Sequence, residues 1–143
     1  MDFRIRQITD EITLKSVLDM CYSILGTHHE GLYSYKAWCT RLDRPFLLLY
    51  AESNGKPIAA VLGRAENADG VVIGFAACKE EFRRKGVTST LLKAFERSAA
   101  SYGYSRVTLT SYNDAWKFYQ ACGYSLLEDR LGRKTFQKLL SPN

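Results

Sequence analysis

The chain has 143 residues, 46% of them hydrophobic, and a formal net charge of +5, enough for one domain (1–143) with a genuine core. No stretch is apolar enough to span a bilayer and the charged start, Met-Asp-Phe-Arg-Ile-Arg, lacks a signal-peptide core, so no membrane partner and a cytoplasmic location are expected. The positive charge alone would admit nucleic acid, but the basic residues are spread along the chain and no nucleic-acid module pattern accompanies them, so no nucleic-acid partner is expected.

Phe3 to Ile8 alternates as a first strand. Leu14, Val17, Leu18, Cys21 and Leu25 then recur at helical spacing until Gly26 ends the run. The connection from Gly26 to Tyr35 holds His28, His29, Glu30, Tyr33 and Tyr35. These side chains read either as a solvated polar loop or as groups that bind an amine or relay its proton. A metal reading of His28, His29 and Glu30 is disfavoured, because sequence neighbours seldom converge on one ion, and no metal is expected. Ser34 to Arg41 reads as a short helix. Phe46 to Ala51 and Ile58 to Arg64 read as strands joined at Asn54-Gly55, a strong hairpin signal. Glu66 and Asp69, just before the next strand, are candidate bases.

Val71 to Cys78 is a nearly unbroken apolar run, as in a strand inside a sheet. Glu81-Phe-Arg83-Arg84-Lys85-Gly86 follows, and from Val87 the apolar residues Val87, Leu91, Ala94 and Phe95 mark an amphipathic helix beginning near Gly86. A helix N-terminus offers unpaired N–H groups and about half a positive charge, and Gly86 permits close approach of an anion. The same run also reads as a solvated basic turn. No Walker A loop and no Gly-x-Gly-x-x-Gly occurs, so a nucleotide of those classes is excluded.

Arg106 to Tyr112 alternates as a strand. Asn113 is placed to cap the following short helix and Gly123 to end it, with Ala115, Phe118, Tyr119 and Cys122 on one face. Strands are expected near Tyr124 to Glu128 and Arg133 to Leu139. Cys21, Cys39, Cys78 and Cys122 show no Cys-x-x-Cys spacing and read as reduced, mostly buried thiols.

Arg83-x-x-Gly86-x-Thr88, followed by Asn113-x-Ala115-x-x-Phe118-Tyr119-x-x-x-Gly123-Tyr124, resembles the GCN5-related N-acetyltransferase (GNAT) superfamily, which transfers acyl groups from coenzyme A thioesters to amines. The match runs from Val71 to Leu127. The resemblance implies an α/β (α+β) fold with a mixed, largely antiparallel sheet of about six to seven strands, about four flanking helices and a splayed strand pair forming the acyl-CoA cleft. It implies acetyl-CoA as co-substrate, an amine acceptor, and action as a monomer or homodimer. Coenzyme A would absorb part of the excess positive charge. The pyrophosphate would lie on the backbone of Arg83, Arg84, Lys85, Gly86, Val87 and Thr88, with Asn113 nearby, and the pantetheine arm along Phe75, Ala76, Ala77 and Cys78. Tyr119 would be the general acid that protonates the leaving thiolate; the alternative is an aromatic packed in the core. Thr88 departs from the family's Gly or Ala, which costs room but adds a hydroxyl, and Arg84 stands where small residues are frequent. Cys78 is not expected to be a nucleophile, since no His pattern accompanies it and the family transfers the acyl group directly. The rival reading is a non-catalytic acyl-CoA sensor or interaction domain.

Overall fold

A computed structural model describes residues 2–26, 30–111 and 114–141. Its strands are β1 (Arg4–Gln7), β2 (Leu48–Ser53), β3 (Lys56–Ala65), β4 (Gly70–Cys78), β5 (Arg106–Ser111), β6 (Ser125–Arg130) and β7 (Arg133–Leu139). Its α-helices are α1 (Glu11–Leu25), α2 (Tyr35–Cys39), α3 (Val87–Ser101) and α4 (Trp116–Ala121). The strands form one sheet in the order β1-β2-β3-β4-β5-β7-β6. Only β4 and β5 run parallel; every other pairing is antiparallel. This is the mixed, mostly antiparallel seven-stranded sheet with four helices that the sequence leads one to expect.

Local chemistry accounts for the boundaries. The Asp10 carboxylate accepts the Thr13 N–H at 2.7 Å and so starts α1, while Gly26 ends it in a left-handed conformation (φ 63°). Asn54 and Gly55 both have positive φ, as a two-residue turn between β2 and β3 requires. Some boundaries differ from expectation. The second strand begins at Leu48 rather than Phe46, because Pro45–Leu47 closes a 3₁₀ turn, a place that suits proline's fixed φ and missing N–H. The second helix is shorter than Ser34 to Arg41: Ser34 caps it, but the Thr40 hydroxyl bonds back to the Ala37 carbonyl at 2.7 Å, and the helix stops at Cys39.

Period-two alternation splits the sheet's side chains between two cores. On one face Leu48, Tyr50, Ala60 and Leu62 meet Leu14, Val17, Leu18 and Cys21 of α1 and Trp38 of α2. On the other, Leu49, Val61, Val71 and Val107 meet Val87, Leu91, Leu92 and Phe95 of α3 and Tyr119 of α4. Burying each large aliphatic side chain contributes roughly 1.5–3 kcal/mol, so these two layers are what hold the central strands in register.

At Gly63 the α3 residue Phe95 lies tight against the sheet. A Cβ there would lie 2.5 Å from Phe95 Cζ and 2.8 Å from the Val72 carbonyl oxygen. Gly63→Ala should therefore destabilise the fold by about 1–3 kcal/mol, read from urea denaturation. An unchanged unfolding midpoint would show that Phe95 does not pack against the β3 backbone as described.

Candidate active site

Strands β4 and β5 pair only over Gly70–Arg106, Val71–Val107 and Val72–Thr108. Beyond Val72, β4 continues to Cys78 against β3 alone, and β5 continues to Ser111 against β7 alone. The sheet thus opens as a V in its centre. On the β5-facing edge of residues 73–78, alternate N–H and C=O groups have no strand partner among the described residues, although such groups in a protein interior are nearly always paired. A register shift in the β3–β4 ladder leaves Gly74 opposite no partner, a bulge that bends β4 where the V begins. The glycine is required there: a Cβ would stand 2.9 Å from Trp38 Cζ2.

The open arm of β4 leads into the basic loop. Arg83 donates from Nε to the Cys78 carbonyl at 3.0 Å, tying the loop to the end of the strand. Arg84 and Gly86 both take left-handed φ, 63° and 79°, on either side of Lys85, whose φ is not positive. Alternating handedness of this kind turns successive N–H groups toward one side and makes an anion-binding concavity. Gly86 is the N-cap position of α3, and no side chain caps the helix. Its first-turn donors face the opening. The Ser89 and Thr90 hydroxyls bond back to the Gly86 carbonyl and do not satisfy those donors.

A groove of about 330 Å³ at this end is lined by Ala76, Cys78, Arg83, Arg84, Gly86, Val87, Thr88 and Tyr119. A larger cavity of about 640 Å³ lies on the α1–α2 side of the V, lined by Phe75, Ala76, Tyr33, Trp38, Arg41, Arg64, Glu66 and Tyr119 among others. Ala76, Ala115 and Tyr119 line both. A molecule held in one therefore meets a molecule held in the other beside Tyr119.

Helix α4 places that tyrosine. The described helix begins at Trp116 with Ala115 in the cap position and no side-chain cap; Asn113, expected to cap it, lies outside the described residues. At its other end the Tyr124 N–H bonds to the Tyr119 carbonyl at 3.0 Å, so Tyr124 closes the helix rather than starting β6. The Tyr124 hydroxyl donates to Glu96 Oε2 at 2.8 Å, and Lys138 Nζ donates to Glu96 Oε1 and to the Cys122 carbonyl, both at 2.9 Å. Glu96 on α3 and Lys138 on β7 thereby clamp the end of α4. The Tyr119 ring packs edge-on to Phe118 and Tyr124 at centroid distances of 5.3 and 6.0 Å. Burial pushes the Tyr119 phenol up to about 12, with a smaller contribution from Cys122. It is a weaker acid than a free phenol and stays protonated throughout the neutral range.

The remaining expected residues divide. The Cys78 thiol lies on the groove, where burial raises its pKa against the opposing effects of the Thr88 hydroxyl and Arg83; it is a thiol, not a thiolate, at neutral pH. The Ala77 side chain packs into the α1-side core, so only its backbone lies at the open edge. Lys85 is exposed and does not line the groove. Tyr33 and Glu66 line the larger cavity, whereas Glu30, Tyr35 and Asp69 do not. The Tyr35 hydroxyl reaches instead toward the Glu11 carbonyl at 3.4 Å. His28 and His29 lie outside the described residues. Among the described residues no cluster of three His, Cys, Asp or Glu could hold a metal. Arg41, Arg64 and Trp38 were not singled out from sequence, although an arginine ending the apolar run Ile58-Ala-Ala-Val-Leu-Gly is a visible irregularity.

The family model for the acetyltransferase (GNAT) family matches residues 12–124. The chain belongs to the GNAT acetyltransferase family. Solved structures share its fold end to end: Ard1 from Thermoplasma volcanium (20% identity, 99% of each chain covered, TM-score 0.79), and PaiA N-acetyltransferase from Thermoplasma acidophilum in complex with coenzyme A (16%, 97% of this chain and 99% of that one, 0.78). The ribosomal-protein-S18-alanine N-acetyltransferase from Escherichia coli is similar to the same degree (14%, 99% and 96%, 0.78). Among curated proteins none matches the chain.

This GNAT chain carries a cost in its loop. A left-handed conformation at a residue with a Cβ costs roughly 1–2 kcal/mol, and Arg84 adopts it where the family often has a small residue. Arg84→Gly should raise stability by about 1 kcal/mol, measured as a higher melting temperature. A lower one would show that the Arg84 side chain stabilises the loop by more than its backbone strain costs.

Proposed function

We propose that this chain is an acetyl-CoA-dependent N-acetyltransferase that moves the acetyl group to a primary amine by direct attack in a ternary complex. The observation that carries the reading is the junction at Tyr119 of an unpaired strand edge, an uncapped helix N-terminus and a second cavity. The loop residues 83–88 would hold the pyrophosphate mainly through backbone N–H groups, since Arg83 is engaged with the Cys78 carbonyl. The open edge of residues 75–78 would pair with the amide-bearing pantetheine arm as an added strand does. Two similar structures solved with coenzyme A, PaiA from Thermoplasma acidophilum and an aminoglycoside 6'-N-acetyltransferase, support this assignment. A cytoplasmic location fits the same reading.

In the proposed reaction the neutral amine, entering from the larger cavity, attacks the thioester carbonyl carbon. An N–H on the open edge of β4 polarises the carbonyl oxygen. As the C–S bond breaks, Tyr119 gives its proton to sulfur, and the proton lost by the attacking nitrogen, passed through water, restores the phenol. Acetylated amine and free thiol result. Glu66, on the cavity wall, would relay that proton through water on its way to the phenolate. The high pKa of Tyr119 suits a group that must arrive protonated.

Two measurements test these roles. Tyr119→Phe keeps the ring and its packing, so kcat on an accepted amine should fall about a hundredfold or more while acetyl-CoA binding persists. Equal kcat would return Tyr119 to a purely structural place, and binding without transfer to any amine in the parent protein would favour a sensor. For the parent protein, kcat/KM should rise with pH as the amine loses its proton, with no fall attributable to Tyr119 near pH 10, because its folded pKa is about 12. The raised pKa also means that Tyr119 contributes its full stabilisation below the unfolded value of about 10 and loses it as pH climbs above that. A descending limb near 10 that disappears in the Phe variant would contradict the burial described.

A further inference from the structure

The charged residues lining the larger cavity are Arg41, Arg64, Arg133 and a single carboxylate, Glu66. Trp38 and Arg41 on the α2 side and Arg64 at the end of β3 face it together, and the Arg41 guanidinium lies 4.1 Å over the Trp38 ring. Two buried donors here, Arg41 Nη1 and Trp38 Nε1, have no hydrogen-bond partner among the described residues. Buried donors are rarely left so, and a charged one least of all. No described carboxylate comes within ion-pair distance of Arg41 or Arg64; Glu66 lines the same cavity but pairs with neither. Burial, and next the charge of Arg64, hold the Arg41 guanidinium below its ordinary pKa, as happens when cations are crowded without a counter-ion. These arginines do not line the groove at the start of α3, so the phosphates placed there leave them unneutralised.

We propose that Arg41 and Arg64 form an anion clamp in the acceptor cavity, so that the amine acetylated by this enzyme carries a compact anionic group, a carboxylate or a phosphate. This rests on the acetyltransferase reading above. Guanidinium forks match the paired oxygens of both groups, and Trp38 fixes the plane of one fork by stacking. With the anion held at the α2 wall and Tyr119 lining the same cavity, the amine end of the acceptor would be directed toward the V. Neutral or polycationic amines would leave the clamp empty or be repelled by it.

The test uses the full chain and matched probes: ω-amino acids of increasing length, their carboxamides, and ω-aminoalkyl phosphonates. Acetyl transfer is followed by thiol release, and probe binding to the coenzyme A-loaded protein by calorimetry. The expected result is a preference of about tenfold or more for an anionic probe over its neutral partner. That preference should fall to within a few-fold in both Arg41→Gln and Arg64→Gln, with circular dichroism confirming that each is folded. Arg41→Lys, which keeps charge but loses the fork, should retain part of it. The phosphonate and carboxylate arms show which anion is preferred. Carboxamides accepted as well as acids, no binding or transfer of any anionic probe, or a preference that survives both glutamine variants overturns the clamp. Transfer to neutral amines alone overturns the clamp and keeps the transferase; clamp-dependent anion binding without transfer does the reverse.

Discussion

The backbone of β4 beyond Val72 is the constraint on which the rest depends. A central strand normally satisfies both of its edges, and this one satisfies only the edge facing β3 once β5 has turned away. Leaving such groups dry would cost free energy of the order of a lost hydrogen bond each. The opening is nevertheless held, because each arm of the V is anchored by its other neighbour. β4 is anchored by the long antiparallel ladder to β3, and β5 by six residue pairs with β7. A peptide-like arm entering the gap would restore the missing half of the ladder.

The side chains that bear on chemistry are positioned by that geometry rather than by their own short elements. Helix α4 has six residues and no side-chain cap, too few to be stable alone. Its orientation comes from the Glu96, Tyr124 and Lys138 cluster and from ring packing around Tyr119. In the same way α2 is only five residues long, yet Trp38 is fully buried against Phe75 at a centroid distance of 5.6 Å and against the bulge at Gly74. The cavity wall that carries Arg41 is thus pinned to the strand whose edge lies open. The two substrates of the proposed reaction share one rigid reference, β4.

Much of this was legible in the sequence, and for identifiable reasons. The Val71 to Cys78 run, the Gly86 start of α3 and the Asn54-Gly55 turn have strong local signals, and each lies within a residue or so of where it was expected. The mixed sheet and its splayed strand pair came from family resemblance, since pairing partners distant in sequence leave no periodic mark. Less legible was anything decided by tertiary competition. Arg83 turns toward a carbonyl and Ala77 into the core, and neither choice can be read from residue type. The arginine wall of the larger cavity was missed because Arg41 and Arg64 lie far apart in sequence and only folding brings them to one cavity. The polar residues of the Gly26 to Tyr35 connection drew attention instead, of which Tyr33 alone among the described ones reaches the cavity.

The central claim is that the open edge of β4 and the start of α3 are filled together by one extended ligand. Backbone hydrogen exchange with and without acetyl-CoA tests it most directly. The account predicts marked slowing at alternate amides of residues 73–78 and at residues 86–89, with little change in β1, β2 or β6. Slowing confined to other segments, or none at saturating ligand, would contradict it.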